Sequence, residues 1–181
     1  MQNLLVLSAL ILTLISAVSD IRTAKVRNET FIAGVLLGVT MNAAIGGWQG
    51  AGYSLLGLVL PILIFLPFSS NKFSIFGFRG IKIIGMGDVK LFGYLGALVC
   101  YPNIFIIIFL TYIFGGVYSI ILMLHQRILF ERIKYFFSWM GGYVKNVKNA
   151  GKHEYVSTKQ VKFAPFVFLA VSVYYLNQYF F

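Results

Sequence analysis

Acidic side chains are scarce in this sequence, and charge of either sign is uncommon. The chain of 181 residues has five Asp and Glu residues; charged residues make up 11% of it and apolar residues 59%. Soluble domains contain roughly 25% charged and 45–50% apolar residues. A soluble fold of this length could not cover so much apolar surface with so few charges. The composition therefore excludes an ordinary soluble domain and indicates an integral membrane protein.

Residues that form disulfides or bind metals are equally few. Cys100 is the single cysteine, so no internal disulfide can form, and the two histidines, His125 and His153, lie far apart in sequence. No group of Cys and His residues has the spacing of a metal site, so we expect no metal and no cofactor. The net charge of +10 would suit a nucleic-acid partner. No nucleic-acid motif accompanies this charge, and we expect no such partner.

Long apolar segments divide the chain into stretches of membrane-spanning length. A spanning helix needs roughly 20 mostly apolar residues, with a lower limit near 17. Six segments meet this within a few residues: 4–19, 30–46, 51–68, 83–100, 103–124 and 163–179. Breaks rich in Gly, Ser, Asn or Pro separate several of them. The sequence therefore predicts an all-α membrane protein with six transmembrane helices, forming a single domain over residues 1–181.

Positive charge falls on one predicted side of the membrane. All fifteen Lys and Arg residues lie after span one, around the start of span four, or between spans five and six, in groups of three, four and eight. Cytoplasmic loops are enriched in Lys and Arg, so both termini are predicted to lie outside. No basic residue precedes the first apolar run, which argues against a cleaved signal peptide. We expect a multi-pass protein of the plasma membrane.

The connection between spans five and six mixes basic and bulky apolar residues. Residues 128–137 read Ile-Leu-Phe-Glu-Arg-Ile-Lys-Tyr-Phe-Phe. This mixture is typical of a helix that lies on a membrane surface. We predict an interfacial helix here, and we expect membrane lipids that are anionic at the cytoplasmic face to be its partners.

The chain contains two aspartates, Asp20 and Asp88, and both fall at the predicted inner ends of spans. Ionisable groups at membrane depth are costly and usually mark function. The alternative is that each aspartate pairs with a nearby base, Asp20 with Arg22 and Asp88 with Lys90. Residues two apart on a helix do not face each other, which weakens the second pairing.

Two aspartates at one depth are suited to acid–base chemistry. Close carboxyl groups disfavour double ionisation and can share one proton. The ionised member can accept a proton from an attacking water, while the protonated member can donate to a peptide carbonyl and then to the leaving amine. Because the titration belongs to the pair, neither Asp20 nor Asp88 is assigned a fixed role.

The residues around both aspartates resemble the type IV prepilin peptidases. Residues 85–88, Gly-Met-Gly-Asp, resemble the Gly-x-Gly-Asp motif of that family, and residues 19–28 resemble its first aspartate segment, which ends in Pro-Asn. Arg27 stands where the family usually has proline, before Asn28. The opening of the last span, residues 163–166, also resembles the family. The presenilin-like proteases share Gly-x-Gly-Asp but precede their other aspartate with tyrosine, whereas Ser19 precedes Asp20 here.

This resemblance implies a membrane aspartyl endopeptidase that cleaves the basic leader of prepilins or pilin-like proteins at the cytoplasmic membrane face, in a type IV pilus or secretion system. By position, Asp20 and Asp88 correspond to the catalytic aspartates. The supporting motif residues are Gly85, Gly87, Lys90 and Asn28. We expect no N-terminal methyltransferase or zinc segment, which larger family members carry on paired Cys-x-x-Cys motifs.

The glycines of the motif have two interpretations from the residues alone. Gly85 and Gly87 remove side chains beside Asp88, so another helix or a substrate backbone can approach closely. A role in helix packing is the alternative for both glycines.

The sequence leaves two other classes of function as alternatives. A transporter or ion pathway could use Asp20 and Asp88 as a cation or proton relay, but transporter sites usually lie near the midplane within inverted repeats. No internal repeat is evident. An assembly or scaffold role is the other alternative, and a cleavage assay with candidate prepilins separates both from a peptidase.

Overall fold

The computed structural model describes residues 2–23, 26–69, 84–125, 134 and 162–180. Within these residues every regular element is helical, which confirms the all-α fold. The helices are α1 (Gln2–Thr23), α2 (Asn28–Ser69), α3 (Met86–Val99), α4 (Asn103–His125) and α5 (Ala164–Phe180). The interfacial helix predicted over residues 128–137 lies outside the described residues, apart from Lys134, which is helical and exposed.

Helix α2 reverses direction near its middle. Gly47 has φ 59° and ψ −142°, a backbone conformation that glycine adopts without the steric cost of a Cβ. A Cβ placed on Gly50 would overlap the carbonyl oxygen of Asn42, eight residues earlier. In a straight helix those residues would be about 12 Å apart along the axis. The helix therefore consists of two antiparallel arms, residues 28–46 and 48–69, which correspond to the second and third predicted spans.

Helix α3 packs against both arms at the end near this reversal. Asn42 of the first arm donates from Nδ2 to the Ala97 carbonyl at 3.1 Å, and Ser54 of the second arm donates to the same carbonyl at 2.6 Å. Gly57 and Gly96 meet so closely that a Cβ on either would overlap the carbonyl oxygen of the other. Small residues at such crossings allow helix backbones to approach in membranes. The hairpin and α3 thus form one tightly packed group.

Helices α1 and α5 extend the core, with α1 against α3 and α5 along α1. The hydroxyl of Tyr94, which is fully buried, lies 2.9 Å from the Ser16 hydroxyl and donates to the Leu12 carbonyl at 3.3 Å. Helix α1 also packs along α5, whose Val167 and Val171 are buried. A buried tyrosine needs a partner for its hydroxyl, and α1 supplies it. The two polar contacts fix α1 relative to α3.

Among the residues that the structure describes, three helices are long and apolar enough to cross a membrane: α1 from Asn3, α2 and α4. Only 28%, 17% and 22% of the residues in their most apolar windows are buried within the protein, so most residues of these windows are at least partly exposed. Helix α3 has 14 residues, fewer than the 18 predicted and below the length that spans a bilayer, while α5 has 17. The six-span count and the orientation of the termini remain predictions.

The chain divides into two compact units, residues 1–114 with 162–181, and residues 115–161. Helix α4 begins in the first unit and continues into the second. All the site residues described below belong to the first unit.

Candidate active site

Asp20 lies in the last turn of α1 and is half-buried. Its Oδ2 accepts a hydrogen bond from the backbone N–H of Ala164, the first residue of α5, at 3.2 Å. The first N–H groups of a helix have no acceptor within the helix, and the positive end of the helix dipole favours a negative group there. The carboxylate of one helix therefore caps the start of another. The described contact is to α5, and not to Arg22.

Asp88 lies in the first turn of α3, as predicted, and is also half-buried. Gly85 precedes the helix in an extended conformation, and its carbonyl accepts the N–H groups of Asp88 at 3.1 Å and Val89 at 3.3 Å. The Asp88 carboxyl lies over the start of the helix. A Cβ added to Gly85 would be only 3.1 Å from Oδ2 of Asp88. The missing side chain at Gly85 thus leaves the space that the carboxyl occupies.

Gly87 faces a different neighbour. A Cβ on Gly87 would lie 3.5 Å from Cγ2 of Val26, the buried residue that precedes α2 closely in the chain. The two motif glycines therefore differ: Gly85 adjoins the carboxyl of Asp88, whereas Gly87 adjoins a packed apolar side chain. This contact favours the packing interpretation for Gly87.

Lys90 and Asn28 meet directly. The Nζ of Lys90 donates to Oδ1 of Asn28 at 2.7 Å, which joins α3 to the first residue of α2. Both residues belong to the predicted supporting motif, although their contact was not predicted. The sequence left open that Lys90 pairs with Asp88. The described contact of the Lys90 ammonium group is with Asn28 instead. Arg27 likewise pairs with Glu29, at 2.7 Å and on the exposed surface.

Four aromatic rings from four parts of the fold form one cluster. Its members are Phe65, Phe92, Tyr112 and Phe163. Phe92 lies one helical turn after Asp88. Phe163 immediately precedes Ala164, and its ring centroid lies 6.1 Å from that of Phe92 and 5.4 Å from that of Tyr112. The cluster connects the start of α3 to the start of α5 and thereby links the surroundings of the two carboxyl groups.

Tyr112 is the residue here that sequence reasoning missed. It lies within electrostatic range of Asp88 and contacts three rings of the cluster. It stands inside an apolar helix, so no local pattern marks it. For Phe92, the spacing of four residues from Asp88 on a helix was an available signal.

The described residues bring no three His, Cys, Asp or Glu side chains into a group that could hold a metal. What they do offer is two half-buried carboxyl groups at helix ends. Asp88 lies within electrostatic range of Tyr112 of the aromatic cluster, and Asp20 accepts the N–H of Ala164, which follows Phe163 of the same cluster. Such an arrangement suits proton transfer to and from a bound substrate.

The family model that matches this chain describes the type IV leader peptidase family. The match covers residues 7–120, more than half of the chain, and includes Asp20, Asp88 and the rest of the glycine motif. It ends before α5. No curated protein and no solved structure matches the chain significantly.

Proposed function

Because the chain belongs to the type IV leader peptidase family, we propose that it is a membrane-embedded aspartyl endopeptidase that removes the basic leader of type IV prepilins or pilin-like proteins. The supporting observation is that one aromatic cluster has a tie to each of two aspartates that come from distant parts of the sequence. Its Tyr112 lies within electrostatic range of Asp88, and its Phe163 directly precedes Ala164, whose N–H donates to Asp20. The family match supplies the reaction class, and these residues supply a means of carrying it out.

In the proposed reaction, Asp20 and Asp88 share one proton. The ionised carboxyl takes a proton from water as the water oxygen attacks the scissile carbonyl carbon. The protonated carboxyl gives its proton to the carbonyl oxygen, which forms a gem-diol intermediate. As the C–N bond breaks, the carboxyl that took the proton from water gives it to the leaving amine, and the other carboxyl takes back a proton from a hydroxyl of the intermediate. Two helix N-termini, of α3 and α5, adjoin the pair and favour the single negative charge that it carries.

The proposed substrate has a short basic leader followed by an apolar helix. The apolar helix would remain in the same bilayer, against the exposed apolar faces of the helices, while the leader lies at the cytoplasmic surface. The proposed cut falls after a small residue, typically glycine, which leaves room for the carboxyl groups to approach the peptide bond. Whether the system serves a pilus or secretion depends on the substrate.

The test is direct cleavage. Purified protein in liposomes is incubated with prepilins of the same organism, and the products are analysed by mass spectrometry. We expect a product shortened by the leader with wild-type protein and none with Asp20→Asn. If no prepilin or pilin-like protein is shortened by wild-type protein, the proposed function is wrong.

The proposed orientation has its own test. Reporters fused after Arg27 and Lys148 should report cytoplasm, and reporters fused after Gln49 and Phe181 the opposite side, because basic loops stay inside. A cytoplasmic signal after Gln49 would contradict the cytoplasmic placement of both aspartates.

A further inference from the structure

Three consecutive residues at the beginning of α5 contact the site. Lys162 donates from Nζ to the carbonyl oxygen of Ile21, the neighbour of Asp20. The ring of Phe163 packs in the aromatic cluster. The N–H of Ala164 donates to Asp20 Oδ2. We call residues 162–164 the α5 start segment.

Each backbone N–H group in the first turn of α5 has an identified acceptor. The N–H groups of Phe166 and Val167 both donate to the Phe163 carbonyl, at 3.1 and 3.4 Å. Pro165 has no N–H to donate. Ala164 therefore carries the first-turn N–H that is left for an acceptor outside α5, and Asp20 is that acceptor. The Ala-Pro sequence presents one backbone donor to one carboxylate.

A backbone donor suits the positioning of a reactive carboxyl. Asp20 lies in the last turn of α1, and the described hydrogen bond of its carboxylate comes from the start of α5. The direction of a peptide N–H is fixed by the backbone, whereas a side-chain donor can rotate to another acceptor. Ala164 is also buried, with 1% of its surface exposed. The ring of its neighbour Phe163 packs against those of Phe92 and Tyr112. This packing fixes the Ala164 N–H relative to α3.

We propose that the α5 start segment positions Asp20 for catalysis, with the Ala164 N–H as the group that orients its carboxylate. This inference rests on the proposed peptidase function. The segment acts through Asp20, and its residues are positioning residues. It lies beyond the residues matched by the family model.

The test removes the N–H without adding an atom. Replacing Ala164 by its α-hydroxy acid analogue, lactic acid, converts the amide into an ester and keeps the methyl side chain. We expect kcat to fall on the order of ten- to a hundredfold, the range set by one hydrogen bond to a charged group, with KM changed less than about threefold. A structural role alone would lower the yield of folded protein instead and would leave kcat per folded molecule unchanged.

The matched control is the same ester replacement at Leu169, an exposed residue of α5. It removes a backbone N–H of the same helix, and we expect it to lower the melting temperature without lowering kcat. Equal kcat for the two esters would overturn the proposal. Failure of wild-type protein to cleave any prepilin would instead refute the proposed function.

A second pair of variants covers the case in which the ester does not fold. Lys162→Met removes the donor to Ile21, and Lys162→Arg retains one. We expect kcat of the methionine variant to fall severalfold and the arginine variant to recover most of it. Wild-type kcat in Lys162→Met would show that the segment does not position Asp20 through this contact, and the proposal would be wrong.

Discussion

The two aspartates differ in what holds them. The carboxyl of Asp20 accepts a backbone N–H from another helix, 144 residues further along the chain. The carboxyl of Asp88 lies over the first turn of its own helix, beside Gly85 three residues earlier. The described contact of Asp20 depends on the packing of α1 against α5, whereas the described contact of Asp88 with Gly85 is local to the start of α3. A change that loosens the packing of α1 against α5 should therefore disturb the hydrogen bond of Asp20.

The largest effect is expected when the carboxyl group of either aspartate is removed. We expect Asp20→Asn and Asp88→Asn each to lower kcat by about 10^3-fold or more, because asparagine keeps the size but cannot transfer the shared proton. The double variant should be little worse than either single variant, since the pair acts as a unit. The rates are measured in liposomes with the amount of inserted protein held equal. Substantial cleavage by one single variant would exclude that aspartate from the chemistry.

Substitutions at Gly85 test the local contact of the Asp88 carboxyl. Gly85→Val places two methyl groups where the Asp88 carboxyl lies, and displacement of a reactive group by about 1 Å can cost on the order of a hundredfold in rate. Gly85→Ala should cost only severalfold, because the carboxyl must move a few tenths of an ångström from a contact at 3.1 Å. Cleavage rates and melting temperatures are measured for both variants, and we expect the melting temperatures to stay close to that of wild-type protein.

Gly87 is the matched control for Gly85. A Cβ there meets Val26 at ordinary contact distance, so Gly87→Ala should retain activity. Gly87→Leu should overpack this contact and destabilise the protein by roughly 1–3 kcal/mol, with activity falling in step with the folded fraction. A leucine variant that is fully stable but inactive would show that substrate approaches at Gly87, against the packing interpretation.

The smallest effect is expected at Lys90 and Asn28. Their hydrogen bond is on the exposed side of the molecule, and such contacts are worth about 1 kcal/mol or less. In a double-mutant cycle of Lys90→Met and Asn28→Ala, thermal unfolding in detergent should give a coupling energy of that size. A coupling near zero would mean that the contact does not stabilise the start of α2 against α3.

The parts of the fold that follow from local pattern could be predicted from the sequence. Apolar length predicted the helices, and the Gly-rich segment at residues 46–50 predicted the break at which α2 reverses. The fourth apolar span placed Asp88 within the first turns of a helix, and the structure has it in the first turn of α3. The helix ends were less accurate: α1 extends to Thr23 and so contains Asp20, and α3 begins at Met86 and not at residue 83. Helix ends depend on capping contacts, which apolar length does not report.

The long-range contacts of the site could not be predicted. Nothing near Asp20 in the sequence indicates that Ala164 would cap its carboxyl, and nothing in α4 marks Tyr112 as a neighbour of Phe163. These contacts result from the packing of helices that are uniformly apolar, so their sequence pattern does not specify which faces meet. The motif singled out both Lys90 and Asn28, yet only the packing of α3 on α2 brings them together.

The central claim is that Asp20 and Asp88 form a catalytic pair, and its most direct test measures how close the two positions are. Two carboxyl groups must lie about 3 Å apart to share a proton. Asp20→Cys and Asp88→Cys are combined in a Cys100→Ala background, and the membrane-embedded protein is treated with an oxidant and with a short thiol-to-thiol crosslinker. The control is Asp20→Cys alone, which keeps Cys100 at the far end of α3, about 18 Å along the helix from position 88. The account predicts rapid crosslinking of 20 to 88 and none of 20 to 100. Absence of a crosslink between 20 and 88, with both thiols shown to be reactive, would contradict a catalytic pair.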